Sequence, residues 1–556
     1  MQKTWNIVNP NQEKAKKLAF QCNLSLISAQ VLINRGIDSS EKINRFLKSD
    51  FSHLSSPFDI AGMKEAVERV LMAKGCNELI LLFGDYDVDG ITSVVLLKSL
   101  LIKEGFNVIH YLPHRVNDGY GLNKKIVKFA IEKNVNLVIT LDCGTSNIDE
   151  IKALKDAGID TVVIDHHSPL KILPDAAAIV NPKLKEKHLD YLAGVGVTFK
   201  FAQALTNKLL KEYLDLVCLG TVSDVMPLIE ENRVIVQEGL KFLRETQKEG
   251  LKALFEETRI DINKMNTGYI SYIIGPRLNA SGRIDSPEVS FRLLISDDAD
   301  QAREIAKELE KHNQARQKIE SKILEEALML IEQEVNFCDR RIIVVAKDGW
   351  HRGVLGIIAS RIAERFYRPT IIISLDDLRG RGSARSIKKF HMLNALHGCS
   401  HHLEGFGGHA HAAGLDIRRE KISDFRDSIN RIAKDMLLDT DLIPQIDIDA
   451  EVDLGDINQK MIKELDSFSP YGAGNPRPLF VTYGLRLKAK PVVLARDTLK
   501  FWVTDGKFTY SVLGFGKKDL LGLLTEAKKI DIAYYPSIDN WGGRPQIQMN
   551  LEDLRG

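Results

Sequence analysis

The sequence predicts an α/β protein built from two α/β units joined by one long helix around a cleft, with a small β-barrel at the C-terminal end. Three observations predict it. Short apolar runs alternate with amphipathic stretches from about residue 56 to 230, and again from about 338 to 437, the rhythm of parallel strands and crossover helices. Asp300 to Asn336 places Ala302, Ile305, Leu309, Ile319, Ile323, Ala327 and Leu330 close to helical spacing, with a polar face dense in Glu, Lys and Gln. Beyond residue 446 the period changes to two: Leu499, Phe501 and Val503 face Phe508, Tyr510 and Val512 across Asp505-Gly506, a hairpin signal.

The 556 residues suffice for three or four domains, with 44% hydrophobic and 27% charged residues, both ordinary for a globular protein. A net charge of +1 excludes a globally basic nucleic-acid coat, so polyanion binding would need local patches. The six cysteines form no CxxC pair, which argues against a zinc ribbon or a disulfide framework and suits a reducing cytosol. Met1 to Phe20 is polar and lysine-rich, with no apolar core of a signal peptide, and no apolar run reaches the length of a membrane span. A cytoplasmic protein without a membrane partner is expected.

Residues 1 to 55 read as a helical lead-in, with Ser39 capping a helix through Leu47. The apolar run Leu79 to Phe83 then stops at Gly84, and Ile91 to Leu101 reads as the next helix. Between them stand Asp85, Asp87 and Asp89, where an open α/β sheet places its ligands. Two such charges about 4 Å apart cost roughly 4 kcal/mol at an effective dielectric of 20. A divalent cation would offset that; taken alone, the triplet could equally be a solvated turn capping the helix.

Strands are expected at Asn107 to Leu112, Leu137 to Leu141 and Thr161 to Ile164, and helices at Lys124 to Lys133, Ile148 to Ala157 and Asp215 to Ser223. Their ends carry Asp142, the run Asp165-His166-His167, and Asp224. Four segments delivering Asp or His to element ends favour a metal site over four independent caps. Imidazole among carboxylates suits manganese, zinc or iron better than magnesium or calcium. Repeated carboxylates suggest two metals and phosphodiester or phosphoanhydride hydrolysis.

Gly275 to Ile284 (GPRLNASGRI) reads as an anion-contacting loop through Arg277, Asn279 and Arg283, or as a Gly-rich turn with surface arginines. In the second unit, Arg341 to Ala346 and Thr370 to Ser374 read as strands around a helix from Gly353 to Phe366. Arg379 to Lys389 carries five basic residues and no acid, so its backbone amides and guanidiniums could cradle a phosphate, or it could be a basic hairpin that aids solubility. Gly407 and Gly408 precede His409 and permit close backbone approach. In the barrel, Trp502, Tyr534, Tyr535 and Trp541 lie among basic residues, so single-strand stacking in the manner of an OB-fold competes with a core role; Phe501 and Tyr510 are taken as core.

GDYDVDGITS, LDCGT, DHH and SDVMPL resemble the four motifs of the DHH phosphoesterase superfamily, and GGHAHAAG resembles its DHHA1 domain. HRVNDGYG, GPRLNASGRI, SPYGAGNPRPLF and GGRPQI resemble the RecJ branch in particular, so the resemblance covers nearly the whole chain. It implies a DHH catalytic domain at 56–300, a connecting helix at 301–337, a DHHA1 domain at 338–440 and an OB-fold at 446–556, after the lead-in at 1–55. It implies Asp85, Asp87, Asp89, Asp142, His166 and Asp224 as metal ligands, although Asp85 stands near a position where many relatives carry histidine. Asp142, His166 and His167 would act in catalysis, with Asp165 orienting the histidines. Arg115, Arg277, Asn279, Arg283, Arg381, Ser383, Arg385 and His409 would face phosphates, and Trp502 and Trp541 the strand in the OB-fold. The implied activity is 5′-to-3′ degradation of single-stranded DNA to mononucleotides in repair and recombination, with two Mn2+ ions, or Mg2+ in part. The implied partners are single-stranded DNA, single-strand-binding protein and a RecQ-type helicase, with the chain a monomer. The rival expectations are a small-molecule DHH phosphodiesterase and a non-catalytic single-strand-binding scaffold.

Overall fold

A computed structural model of the chain describes residues 3–115, 117–185, 189–539 and 544–556. It divides into two compact units: Leu54–Met226 with Glu238–Ile443, and Met1–His53 with Pro227–Gln237 and Pro444–Gly556.

The first of these holds two sheets. One is wholly parallel, in the order Val108–Tyr111, Ile80–Gly84, Leu137–Leu141, Asp160–Ile164, Ala178–Val180. Every residue of Ile80–Gly84 and Leu137–Leu141 is buried, which is why these strands read as near-continuous apolar runs, interrupted by Thr140 alone. Helix Val88–Lys103 starts where Asp87 accepts hydrogen bonds from the amides of Asp89 and Gly90, an N-cap that ends the strand-to-helix turn. Helices Gly194–Thr206 and Leu214–Ser223 are buried along most of their length and pack against it.

The segment Gly275–Ile284 is a helix, not a loop, continuing directly from a π-helical turn at Ile270–Ile274. Its Pro276, which has no N–H to donate, falls just after that π-helical turn. The helix Ala299–Glu334 is 36 residues long and is capped by Asp298, whose side chain accepts from the amides of Asp300 and Gln301. Ile323, Ala327 and Ile331 from its far end enter the core of the second sheet.

That sheet runs Leu403–Gly408, Ala412–Arg418, Arg379–Arg385, Thr370–Leu375, Ile343–Asp348 and is antiparallel except for its last pair. Here the sequence expectation needs correction. Arg379–Arg385 is the central strand of the sheet: it forms a hairpin with Thr370–Leu375 and pairs with Ala412–Arg418 on its other side. Its amides serve the ladder and leave only side chains for an anion. Gly380, Gly382 and Ala384 point to the core and are buried, while Arg379, Arg381, Ser383 and Arg385 take the other face.

The remaining unit is built on a seven-stranded sheet in the order Ala450–Glu451, Phe480–Leu487, Ile530–Asp539, Gln546–Arg555, Thr509–Gly514, Thr498–Thr504, Val492–Leu494. Phe480–Leu487 also pairs with Thr498–Thr504, which closes the barrel. The hairpin across Asp505-Gly506 is present, and Phe501 is buried. Helices Gln12–Cys22, Leu26–Asn34 and Ser40–Leu47 share this barrel's hydrophobic core through Leu18, Leu32 and Ile43. Strand Thr4–Ile7 pairs in parallel with Gln445–Ile448.

Candidate metal centre and phosphate cleft

The acidic side chains converge at the carboxyl edge of the parallel sheet. Asp85 follows Ile80–Gly84 directly, and Asp89 lies in the first turn of the next helix. Asp89 is held by another helix N-terminus: its Oδ2 accepts from the Gly194 amide and its Oδ1 from the Val195 amide, each at 2.7 Å. Asp142 follows Leu137–Leu141 in a left-handed conformation, φ +62°, rare for a residue other than glycine. Gly144 beyond it has φ +114°, and a Cβ there would lie 2.4 Å from the Thr140 hydroxyl. Asp224 is delivered by the C-terminal end of helix Leu214–Ser223.

His166 joins them. Its Nε2 lies 3.1 Å from Asp142 Oδ1, 3.6 Å from Asp224 Oδ2 and 3.8 Å from Asp89 Oδ2. Asp85, Asp87 and Asp142 bring ligand atoms within 4.8 Å of one another, as do Asp89, His166 and Asp224, and Asp142, His166 and His167. Asp165 points the histidines: its Oδ1 accepts from the amides of His166 and His167 and from His167 Nδ1 at 2.8 Å, while Oδ2 accepts from the Thr145 amide.

The electrostatics are those of a cation site. Burial, then the charge of Asp87, pushes Asp89 up to about 7; burial, then Asp89, pushes Asp224 up to about 9. Asp85 and Asp142 are raised well above the usual carboxylate range, first by burial and then by the acids around them. Burial and neighbouring His167 bring His166 down to about 3, so its imidazole is neutral, the form that binds a metal. For His167, burial opposes the charge most strongly, but the Asp165 hydrogen bond together with the charges of Asp165, Asp85 and Asp87 raises the pKa. Asp85 Oδ1 and Asp142 Oδ1 are buried and accept no hydrogen bond among the described residues. Such orphaned oxygens are costly unless a cation meets them, so the donor set fits divalent metal ions.

A cleft of about 800 Å³ opens beside this centre, lined from one side by Tyr86, Arg115, Tyr120 and His167 and from the other by Arg381, Ser383, Arg385 and His409. The rings of His167 and His409 face each other with centroids 6.4 Å apart and planes 15° from parallel. Arg115 lies over the Tyr86 ring at 4.6 Å. Burial, then Arg115, lowers the pKa of both Arg283, to about 9, and Arg385. Like charges crowded in this way favour an anion between them.

Two residues expected to face phosphates are engaged elsewhere. Arg277 donates through Nε to Glu310 at 2.7 Å and through Nη1 to the Ile273 carbonyl. Asn279 accepts from the Val88 amide and so braces the helix that starts at the acidic turn. Arg283 donates to the Gly353 carbonyl at 3.2 Å, tying the helix Gly275–Ile284 to the second α/β half. In the barrel, Trp502 is exposed on the outer face of its strand, Tyr535 lies under Arg477 at 5.0 Å, and Tyr534 is fully buried, so Tyr534 is core. Trp541 lies outside the described residues.

The sequence reading missed three contributors. The amides of Gly194 and Val195 carry no side-chain signal beyond the glycines at 194 and 196. Tyr120 places its hydroxyl 3.1 Å from His167 Nδ1, and Asn181 donates to the His167 carbonyl and to Thr145 Oγ1. Tyr120 stood in plain view inside HRVNDGYG; Asn181 follows the short strand Ala178–Val180, whose end was not recognised.

The DHH family N-terminal domain model matches residues 79–221, the DHHA1 domain 339–435 and the RecJ OB domain 448–553. A Bacillus subtilis protein named single-stranded-DNA-specific exonuclease RecJ is 37% identical over 554 residues, spanning 99% of this chain and 70% of its own. An Escherichia coli protein of the same name is 33% identical and covers 94% of both chains. The crystal structure of Thermus thermophilus RecJ with Mn2+ superposes with a TM-score of 0.87 at 27% identity, over 100% of this chain and 79% of that one. A second, of exonuclease RecJ bound to manganese, is 31% identical over 68% of this chain and 96% of its own, with a TM-score of 0.61.

Proposed function

The chain belongs to the RecJ family, and on that premise we propose that it is a metal-dependent exonuclease that degrades single-stranded DNA from the 5′ end to mononucleotides. The observation that carries the proposal is the convergence of Asp85, Asp87, Asp89, Asp142, His166 and Asp224 at one sheet edge, beside a cleft with arginines on its opposite wall. A smaller solute would need no such extended basic wall.

Asp85, Asp87 and Asp142 would hold one divalent cation, and Asp89, His166 and Asp224 a second, with Mn2+ the expected ion and Mg2+ a substitute. Two such ions, when bound, offset the charge that gathers on a phosphoryl group and ease the deprotonation of water. The protein's own residues do the rest. Asp165 fixes His167 through Nδ1, which leaves Nε2 as the nitrogen available to the scissile phosphate. His409 closes the same point from the facing wall. Arg115, Ser383 and Arg385, with Arg283 behind them, would hold the 5′-terminal phosphate one nucleotide away, which fixes the product as a mononucleotide. The barrel would guide the strand through Trp502. A role in DNA repair and recombination, cytoplasmic and monomeric, alongside single-strand-binding protein and a RecQ-type helicase, follows as part of the same reading.

The test is a gel of 5′-labelled and 3′-labelled single strands with Mn2+. A 5′ label is expected to appear at once as mononucleotide, while a 3′ label shortens progressively. Asp142→Ala is expected to lower turnover by several decades and leave strand binding intact. Near-normal hydrolysis by that variant would remove the metal-centre argument.

A further inference from the structure

The cleft does not end at the proposed terminal-phosphate site. His409 marks its metal-centre end. From there the strand Arg379–Arg385 leads away in register: Arg385 pairs with Ala412, Ser383 with Gly414, and Arg381 with Asp416. Alternate residues share a face, and two residues rise about 6.7 Å, so Ser383 lies about 6.7 Å and Arg381 about 13 Å beyond Arg385. Arg385 folds back, donating through Nη1 to the Ala384 carbonyl and toward the Ser383 hydroxyl. Arg385 and Ser383 therefore form one anion position, and Arg381 stands apart as another.

The floor between them carries no side chains. Gly414 lies beside Ser383, and Gly407 lies beside Gly414 on the next strand. The fold does not require these glycines. Among the described residues, a Cβ at 407 would meet nothing within 4 Å, one at 414 would come no nearer than 3.9 Å to its closest neighbour, and neither has a left-handed φ. Gly405, in register with Asp416, is equally open, its Cβ 4.0 Å from the nearest atom. Side chains would fit the folded chain and would fill the trough; their absence keeps it clear. The Arg381 guanidinium is half-exposed at the far side, makes no hydrogen bond among the described residues, and has Asp416 Oδ1 only at 3.8 Å. An exposed pair at that separation contributes little, so the guanidinium is free to take an anion.

We infer that this trough with Arg381 is a subsite for the outer phosphates of a strand whose 5′ end carries a triphosphate. The inference rests on the proposed exonuclease reading: the innermost phosphate occupies the Arg115, Ser383 and Arg385 site, and the polyphosphate tail runs along the glycine floor to Arg381. The tail is shorter than a further nucleotide step and lacks a base, which suits a narrow lane with one cation at its end.

The experiment compares one single-strand sequence carrying a 5′-monophosphate or a 5′-triphosphate, with Mn2+, in the full-length protein. The wild type is expected to turn over both, releasing the first nucleotide with its triphosphate intact. Arg381→Ala should lower kcat/KM for the triphosphate strand relative to the monophosphate strand by about tenfold, through KM, the order expected for one lost charge-assisted hydrogen bond. Asp416→Asn, which removes the nearest opposing charge, should raise the same ratio. Arg385→Ala should depress both substrates together. An unchanged ratio in Arg381→Ala and Asp416→Asn, or rejection of the triphosphate strand by a wild type that consumes the monophosphate strand, overturns the subsite and leaves the exonuclease reading standing. Release of dinucleotides would also overturn it, since the trough would then hold a nucleotide. Failure of the wild type on both strands sinks the exonuclease reading and the subsite with it.

Discussion

Gly194→Ala is the sharpest probe of how the metal centre is held. A methyl group at this position would lie 2.7 Å from both Cβ and Oδ1 of Asp142, where ordinary contact begins at 3.4 Å. One partner must therefore retreat by about 0.7 Å. The helix cannot do so freely, because the Gly194 and Val195 amides grip both oxygens of Asp89 at 2.7 Å. Either Asp142 moves or Asp89 is dragged with the helix. Misplacing a reacting group by about 1 Å costs on the order of 100-fold in rate, and crowding a packed site costs about 1–3 kcal/mol. We expect turnover of single strands to fall by about 10- to 100-fold, with weaker Mn2+ binding and a lower melting temperature. Helix propensity pulls weakly the other way: alanine outranks glycine by about 1 kcal/mol in a helix interior, but Gly194 is the first residue of its helix. The sign of the stability change thus separates the steric account from a propensity effect. Steady-state turnover, calorimetric Mn2+ titration and thermal unfolding under chelation together measure it. Wild-type turnover and Mn2+ affinity in this variant would refute the claim that the Gly194 helix sets the spacing between Asp89 and Asp142.

Strand affinity should fall steeply with salt if the basic wall contacts phosphates, with a slope on a log–log plot of about −0.7 per phosphate neutralised; a flat response in a filter-binding titration would favour a small substrate. Chelated protein should lose stability as pH rises. Asp89 and Asp224 have folded-state values of about 7 and about 9, above their unfolded ones, so the folded state binds more protons through the interval from about pH 4 to 9 and unfolding becomes easier across it. Melting curves at pH 6 and 8.5 check this, and added Mn2+ should flatten the difference; identical melting points without metal would contradict it. Tyr120→Phe removes the hydroxyl beside His167 and should lower kcat by about tenfold with KM little changed, which parallel kinetics on a long and a short strand would reveal.

What the sequence could and could not disclose follows from where each signal is stored. The acids were legible because a strand buried on both faces is an apolar run, and a run that ends in Asp stands out against it. Ile80–Gly84 and Leu137–Leu141 show this most plainly, each fully buried and each followed at once by a carboxylate. The long helix was legible for a related reason: its apolar stripe repeats for 36 residues and a cap side chain stands at its start. Arg277 and Asn279 misled because residue type says what a side chain can bind, not what is near it; the partner of Arg277 is 33 residues away on another helix. The Arg379–Arg385 strand misled differently. Its period of two was present, arginine and serine against glycine and alanine, but small inward residues do not register as a hydrophobic face. Those glycines and alanines are inward because the strand is central and neighbouring side chains close over it: a Cβ at Gly382 would lie 3.0 Å from Leu415, and one at Gly380 2.7 Å from Ile373. The same alternation that hid the strand therefore aligns its charges in one row. A loop of equal composition would have scattered them, and a cleft read by single phosphates in sequence needs the row.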